Sequence, residues 1–164
     1  MSPDVRAFEE ALAALAGAPF GVATSSGTLA LELALEAAGV GSGHEVIVPG
    51  LSAFGTLAAI LRRGATPVVV DVEEGGLTLD ANAVAQALTD HTRAVIPVHA
   101  MGHAPDVAAI RAAAPELFCL EDMAQGFPGR LEGHAAALSL SAGKAVPGLP
   151  GRPFDLSSPG PSPR

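Results

Sequence analysis

The chain has 164 residues, 49% of them hydrophobic and 16% charged, with 9 basic against 17 acidic side chains for a formal net charge of -8 at pH 7. That is the make-up of one ordinary globular domain, too apolar to stay unfolded and too acidic to release counterions from a phosphate backbone, so nucleic acid is not an expected partner. Cys119, the only cysteine, excludes an intrachain disulfide and a zinc ribbon, and the amino terminus MSPDVRAFEE lacks a basic start followed by an apolar stretch, so a cytoplasmic chain with no membrane partner is expected.

In chain order, residues Asp4 to Leu15 place Val5, Phe8, Leu12 and Leu15 at helical spacing, and a short strand-like run follows around Gly21 to Thr24. A strong helix is predicted from Gly27 to Ala38, ended by Gly39. Glu45 to Pro49 reads as a buried strand, Thr56 to Arg63 as a helix stopped by Gly64, and Pro67 to Val72 as the next strand. A helix over Asn82 to Leu88, a strand over Ala94 to His99, a helix over Asp106 to Ala113 and a strand over Leu117 to Glu121 follow, with a last apolar run from Ala135 to Leu140. Continuous apolar strands alternating with helices predict an α/β fold of three layers, a mostly parallel sheet with helices on both faces. After Val146 the text turns to Pro, Gly and Ser, so residues 1–146 are expected to form the folded part and 147–164 a disordered tail.

Parallel sheets collect ligands at the carboxyl ends of their strands, which directs attention to Thr24 to Thr28, Pro49 to Phe54, Asp71, His99, Asp122 and Ser139 to Lys144. Ser25-Ser26-Gly27-Thr28 opens a helix, where unpaired N–H groups and the dipole favour an anion; ordinary capping by serine explains the same residues. Asp122 stands where an acid would face a bound ligand, although taken alone an acid that caps the next segment is the better account. Eight of the nine basic residues are arginines, which leaves Lys144 as the sole lysine, and lysine can lose its proton and attack a carbonyl as arginine cannot. His99 and His103 are four apart, but Gly102 and Pro105 oppose a helix that would set both on one face, and no metal site is expected. A serine-nucleophile reading lacks its Gly-x-Ser-x-Gly elbow.

The strings SSGTLALELALEAAGVGSGHEVIVP, GATPVVVDV, TRAVIPVHAMG, LEDMAQG and LSLSAGK, in this order and spacing, resemble the DegT/DnrJ/StrS family of sugar aminotransferases. That family is a branch of the fold-type-I enzymes that use pyridoxal 5'-phosphate, and the resemblance runs from Phe8 to about Val146. It implies that Lys144 attaches the cofactor and afterwards moves the proton, that Asp122 pairs with the pyridine nitrogen, and that Gln125 contacts the ring hydroxyl while Ala124 lies against a ring face. It implies phosphate contacts from Gly27, Thr28 and Ser139. The usual stacking aromatic falls at Ala53, with Phe54 beside it as the substitute, and His44 and His134 replace acids at positions that look peripheral.

By the same resemblance the full enzyme moves an amino group from glutamate or glutamine to a nucleotide-linked keto sugar, for polysaccharide or antibiotic-sugar biosynthesis, and completes its sites across a homodimer. The family continues beyond its lysine with a Gly-rich turn and a second domain, whereas this sequence runs PGLPGRP and stops soon after, as a truncated frame would. Two alternatives stand beside this reading. One is a catalytically inactive fragment or binding module derived from the family; the other is a nicotinamide-dependent redox enzyme, which fits the α/β alternation but lacks GxGxxG and leaves Lys144 idle.

Overall fold

The computed structural model describes residues 3–126, 129–141 and 144. Helix α1 (Pro3–Ala16) precedes α2 (Gly27–Ala37), β1 (Glu45–Pro49), α3 (Phe54–Arg62), β2 (Thr66–Val70), α4 (Ala81–Gln86), β3 (Thr92–Val95), α5 (Val107–Ala113), β4 (Phe118–Asp122) and β5 (Ala135–Ala137). The strands form one sheet in the order β2-β1-β3-β4-β5, every neighbouring pair parallel. All five carboxyl ends therefore lie along one edge.

Alternation along the strands divides the apolar side chains between two cores. On one face Val46 and Val48 of β1, Ala94 of β3 and Leu120 of β4 pack with Leu31 and Leu35 of α2 and Ala59 and Ile60 of α3. On the other, Ile47, Val95 and Cys119 pack with Val84 of α4 and Val107 and Ile110 of α5. This is the expected three-layer α/β arrangement. Among the described residues no helix is long and apolar enough to cross a membrane.

Several boundaries differ from the sequence reading. Residues 21–24 form no strand: the Ala23 N–H donates to the Glu9 carboxylate of α1 at 2.7 Å instead of to a ladder. β2 runs one residue earlier than predicted because the Thr66 N–H donates to His44 O at 2.9 Å, and it stops at Val70. β3 starts at Thr92 and ends at Val95, short of His99, because Pro97 has no N–H to continue the ladder; Pro97 O still accepts from the Asp122 N–H at 2.9 Å. α3 begins at Phe54 instead of Thr56, α4 ends at Gln86 instead of Leu88, and the final apolar run shortens to β5. The expected tail, 147–164, lies outside the described residues.

Candidate active site

The first corner of the site is the start of α2. The Ser26 hydroxyl accepts from the Leu29 N–H at 3.2 Å, so serine does cap this helix. Gly27 and Thr28 are the next two residues, and their N–H groups have no acceptor within the helix. A Cβ on Gly27 would stand 3.2 Å from both Leu138 O and Ser139 Cβ, so the missing side chain lets the segment leaving β5 close onto the helix end. Ser139 Oγ lies 2.8 Å from Ser141 Oγ. Gly27, Thr28 and Ser139 thus share a corner rich in N–H and hydroxyl groups where the helix dipole favours an anion.

The second corner is the end of β4. Asp122 is its last residue rather than the residue after it, and is 4% exposed. Its Oδ2 accepts from the Thr56 hydroxyl at 2.7 Å and its Oδ1 from the Ala124 N–H at 3.1 Å. Thr56 is buried in the first turn of α3, and the preceding Gly55 is where α3 meets α2: a Cβ there would come within 2.6 Å of Thr28 Oγ1. The start of α3 therefore joins the anion corner to the buried acid. Sequence reasoning missed Thr56 and Gly55; a hydroxyl in the first turn of a helix that follows a strand's carboxyl end was the available signal.

Ala124 and Gln125 follow Asp122 in a turn, both half-buried. Gln125 Oε1 accepts from the Met101 N–H at 3.2 Å, which assigns the amide and leaves its nitrogen as the donor. Met101 is the one non-glycine residue with positive φ, 52°, among those described. Lys144 is half-buried, with its N–H on Ser141 O at 3.1 Å, so the lysine returns to the same segment as Ser139. Phe54 is not drawn in: it is 81% exposed at the rim.

Behind the site, on the opposite sheet face, Glu121 Oε2 and His99 Nε2 are 2.8 Å apart, both residues buried. Burial opposes the Glu121 charge, but hydrogen bonds from His99 and from the Gly133 and Glu132 N–H groups outweigh it and hold the carboxyl below its ordinary range. Burial, then the Glu121 charge, pushes the Cys119 thiol up to about 12 against the opposing pull of Arg111, so this cysteine is no nucleophile at neutral pH. His44 and His134 serve the backbone, their Nδ1 atoms accepting from the Gly41 and Cys119 N–H groups at 3.2 and 2.9 Å.

Residues 1–143 match the model of the DegT/DnrJ/EryC1/StrS aminotransferase family. The chain belongs to this family. It is 43% identical over 156 residues to the erythromycin biosynthesis sensory transduction protein EryC1 of Saccharopolyspora erythraea, covering 90% of this chain and 43% of that one. To the dTDP-3-amino-3,4,6-trideoxy-alpha-D-glucose transaminase of Streptomyces venezuelae it is 39% identical, over 90% of this chain and 40% of that one. The solved structure of NtdA from Bacillus subtilis with bound cofactor PMP superimposes with a TM-score of 0.85 at 32% identity, over 90% of this chain and 35% of that one. The chain therefore spans less than half the length of these relatives, and within that span its fold is that of the family's aminotransferases.

Proposed function

We propose that this chain carries the cofactor-holding part of a sugar aminotransferase that uses pyridoxal 5'-phosphate. The observation that carries the reading is the convergence of an anion corner and a buried, hydrogen-bonded carboxylate through one turn of α3: Gly27 against Ser139, Gly55 against Thr28, and Thr56 on Asp122. The donor set suits the cofactor at both ends, with N–H and hydroxyl groups for a phosphate and a carboxylate for a ring nitrogen.

The bound cofactor supplies an electron sink for charge that develops on the substrate carbon. Asp122 keeps a proton on the ring nitrogen, and Thr56 and the Ala124 N–H orient its two oxygens. Gly27, Thr28 and Ser139 would hold the phosphate, and the Gln125 amide nitrogen would be the donor for the ring hydroxyl. Ala124 would lie against one ring face, whereas Phe54, exposed and not drawn into the site, is given no contact with the ring. Lys144 would provide the amine that holds the cofactor and the base that holds the proton beside it. The amino group passes from glutamate or glutamine to a nucleotide-linked keto sugar, a substrate class supported by the similarity to the dTDP-3-amino-3,4,6-trideoxy-alpha-D-glucose transaminase of Streptomyces venezuelae. In this reading a second copy completes the site.

The test is to add pyridoxal phosphate to the purified chain, reduce with borohydride and map the labelled peptide. Labelling at Lys144, absent in Lys144→Ala, supports the reading. Equal labelling of both proteins overturns the assignment of the lysine.

A further inference from the structure

β5 is Ala135-Ala136-Ala137 and forms an end of the described sheet. A run of identical small residues carries no register information, since a slip by one position offers β4 the same side chains. Yet such a slip would carry Ser139 about 3.3 Å along the strand direction, off the end of α2. The observed register, Leu120 with Ala135, Glu121 with Ala136 and Asp122 with Ala137, must therefore be fixed outside the strand.

Part of the fixing comes from His134, directly before β5, whose N–H donates to Cys119 O at 2.8 Å and whose Nδ1 accepts the Cys119 N–H at 2.9 Å; the buried part lies on the sheet face away from Asp122. Glu121 is fully buried, and its Oε1 accepts from the N–H groups of Glu132 at 2.7 Å and Gly133 at 2.6 Å, immediately before β5. A Cβ on Gly133 would lie 2.8 Å from Cys119 O, so this approach is open only to glycine. The other carboxylate oxygen is held by His99 Nε2 at 2.8 Å, and His99 is itself fixed by its N–H on Asp122 O at 3.0 Å and by the close fit of its Cβ against Gly126.

We infer that Glu121 and His99 are a buried positioning couple that sets the register of β5 from behind the sheet and thereby seats Ser139 against Gly27. The inference rests on the proposed phosphate corner and adds to it residues that touch neither cofactor nor substrate.

The experiment compares the full chain with Glu121→Ala, Glu121→Gln, His99→Leu and His99→Gln, following amide hydrogen exchange residue by residue and, separately, pyridoxal phosphate affinity. In Glu121→Ala, exchange at residues 134–139 is expected to quicken about ten-fold relative to β1 and β2, a local opening in place of a global one. Cofactor affinity should fall by about ten-fold through displacement of Ser139. His99→Leu should move the same amides, while His99→Gln, which keeps an N–H donor for the carboxylate, should restore them, and Glu121→Gln, which keeps one acceptor and the side-chain volume, should fall between. Unchanged exchange at 134–139, or equal acceleration over the whole sheet, overturns the inference. If the parent chain takes up no pyridoxal phosphate at Lys144, the proposed function fails by itself, and the exchange pattern still decides the register.

Discussion

The Thr56 hydroxyl donates to Asp122 Oδ2 across 2.7 Å, with both residues buried, and so ties the first turn of α3 to the end of β4. Asp122 shares the strand face of Leu120, which packs under α2 and α3, so a donor from that helical layer is the partner its geometry requires. Replacing Thr56 by Val keeps the shape and removes the donor. The variant should lose about 1–3 kcal/mol, the cost of an unsatisfied buried acceptor, while Thr56→Ser should lose far less. Thermal unfolding of the three proteins checks the order, and equal midpoints would show that the bond contributes nothing.

Capping and anion binding, which the sequence left as rival accounts of the Ser-Ser-Gly-Thr segment, fall on different residues. Ser26 caps α2, so Ser26→Ala should cost about 1 kcal/mol of stability with little effect on anion binding. Gly27→Ala puts a methyl group 3.2 Å from a backbone carbonyl and from Ser139 Cβ, so it should push the Ser139 segment away and weaken phosphate binding more than stability. Thermal shifts measured with and without inorganic phosphate separate the two effects. A larger loss of the phosphate-dependent shift in Ser26→Ala would reverse the assignment.

The extent to which this fold could be read from sequence follows from where its information lies. β1 and α2 declare themselves, one as a continuous apolar run and the other by apolar spacing between a capping serine and Gly39. β3 and β5 do not, because their limits are set by partners distant in sequence: Pro97 faces a neighbouring strand it cannot donate to, and the alanines of β5 take their place from contacts of Glu121 and His134 between β4 and the approach to β5. The candidate site divides in the same way. Gly27, Asp122, Gln125, Ser139 and Lys144 stand in recognisable strings, whereas Thr56 and His99 acquire their roles only once α3 and β4, or β3 and β4, are side by side.

Met101 holds a left-handed conformation, φ 52° and ψ 31°, that side chains with a Cβ adopt at a cost, and its own side chain is 70% exposed. What the turn needs from this residue is its N–H, which meets Gln125 Oε1 at 3.2 Å. Met101→Gly keeps that N–H and relieves the conformation, so a gain of about 1 kcal/mol in unfolding free energy is expected, less whatever glycine adds to the freedom of the unfolded chain. Denaturant unfolding at neutral pH measures it. A loss of stability would mean that the freedom glycine adds to the unfolded chain, together with any contacts of the methionine side chain, outweighs the strain.

The Glu121 carboxylate provides a pH signature of its own. Burial alone would raise its pKa, but the donors from His99, Gly133 and Glu132 bring it below the ordinary 4.5. The folded chain therefore holds this proton less tightly than the unfolded chain does. Above 4.5 both states are ionised and the stabilisation is complete; as pH falls below that value the unfolded chain takes up the proton first, and the contribution is lost as pH passes down through the folded value. Urea unfolding between pH 7 and pH 3 should show stability falling with acid, and Glu121→Gln should flatten that fall while starting from a lower plateau. If the variant and the parent lose stability in parallel over the whole acid range, other carboxyl groups carry the dependence and Glu121 binds its proton equally well in the folded and unfolded chains.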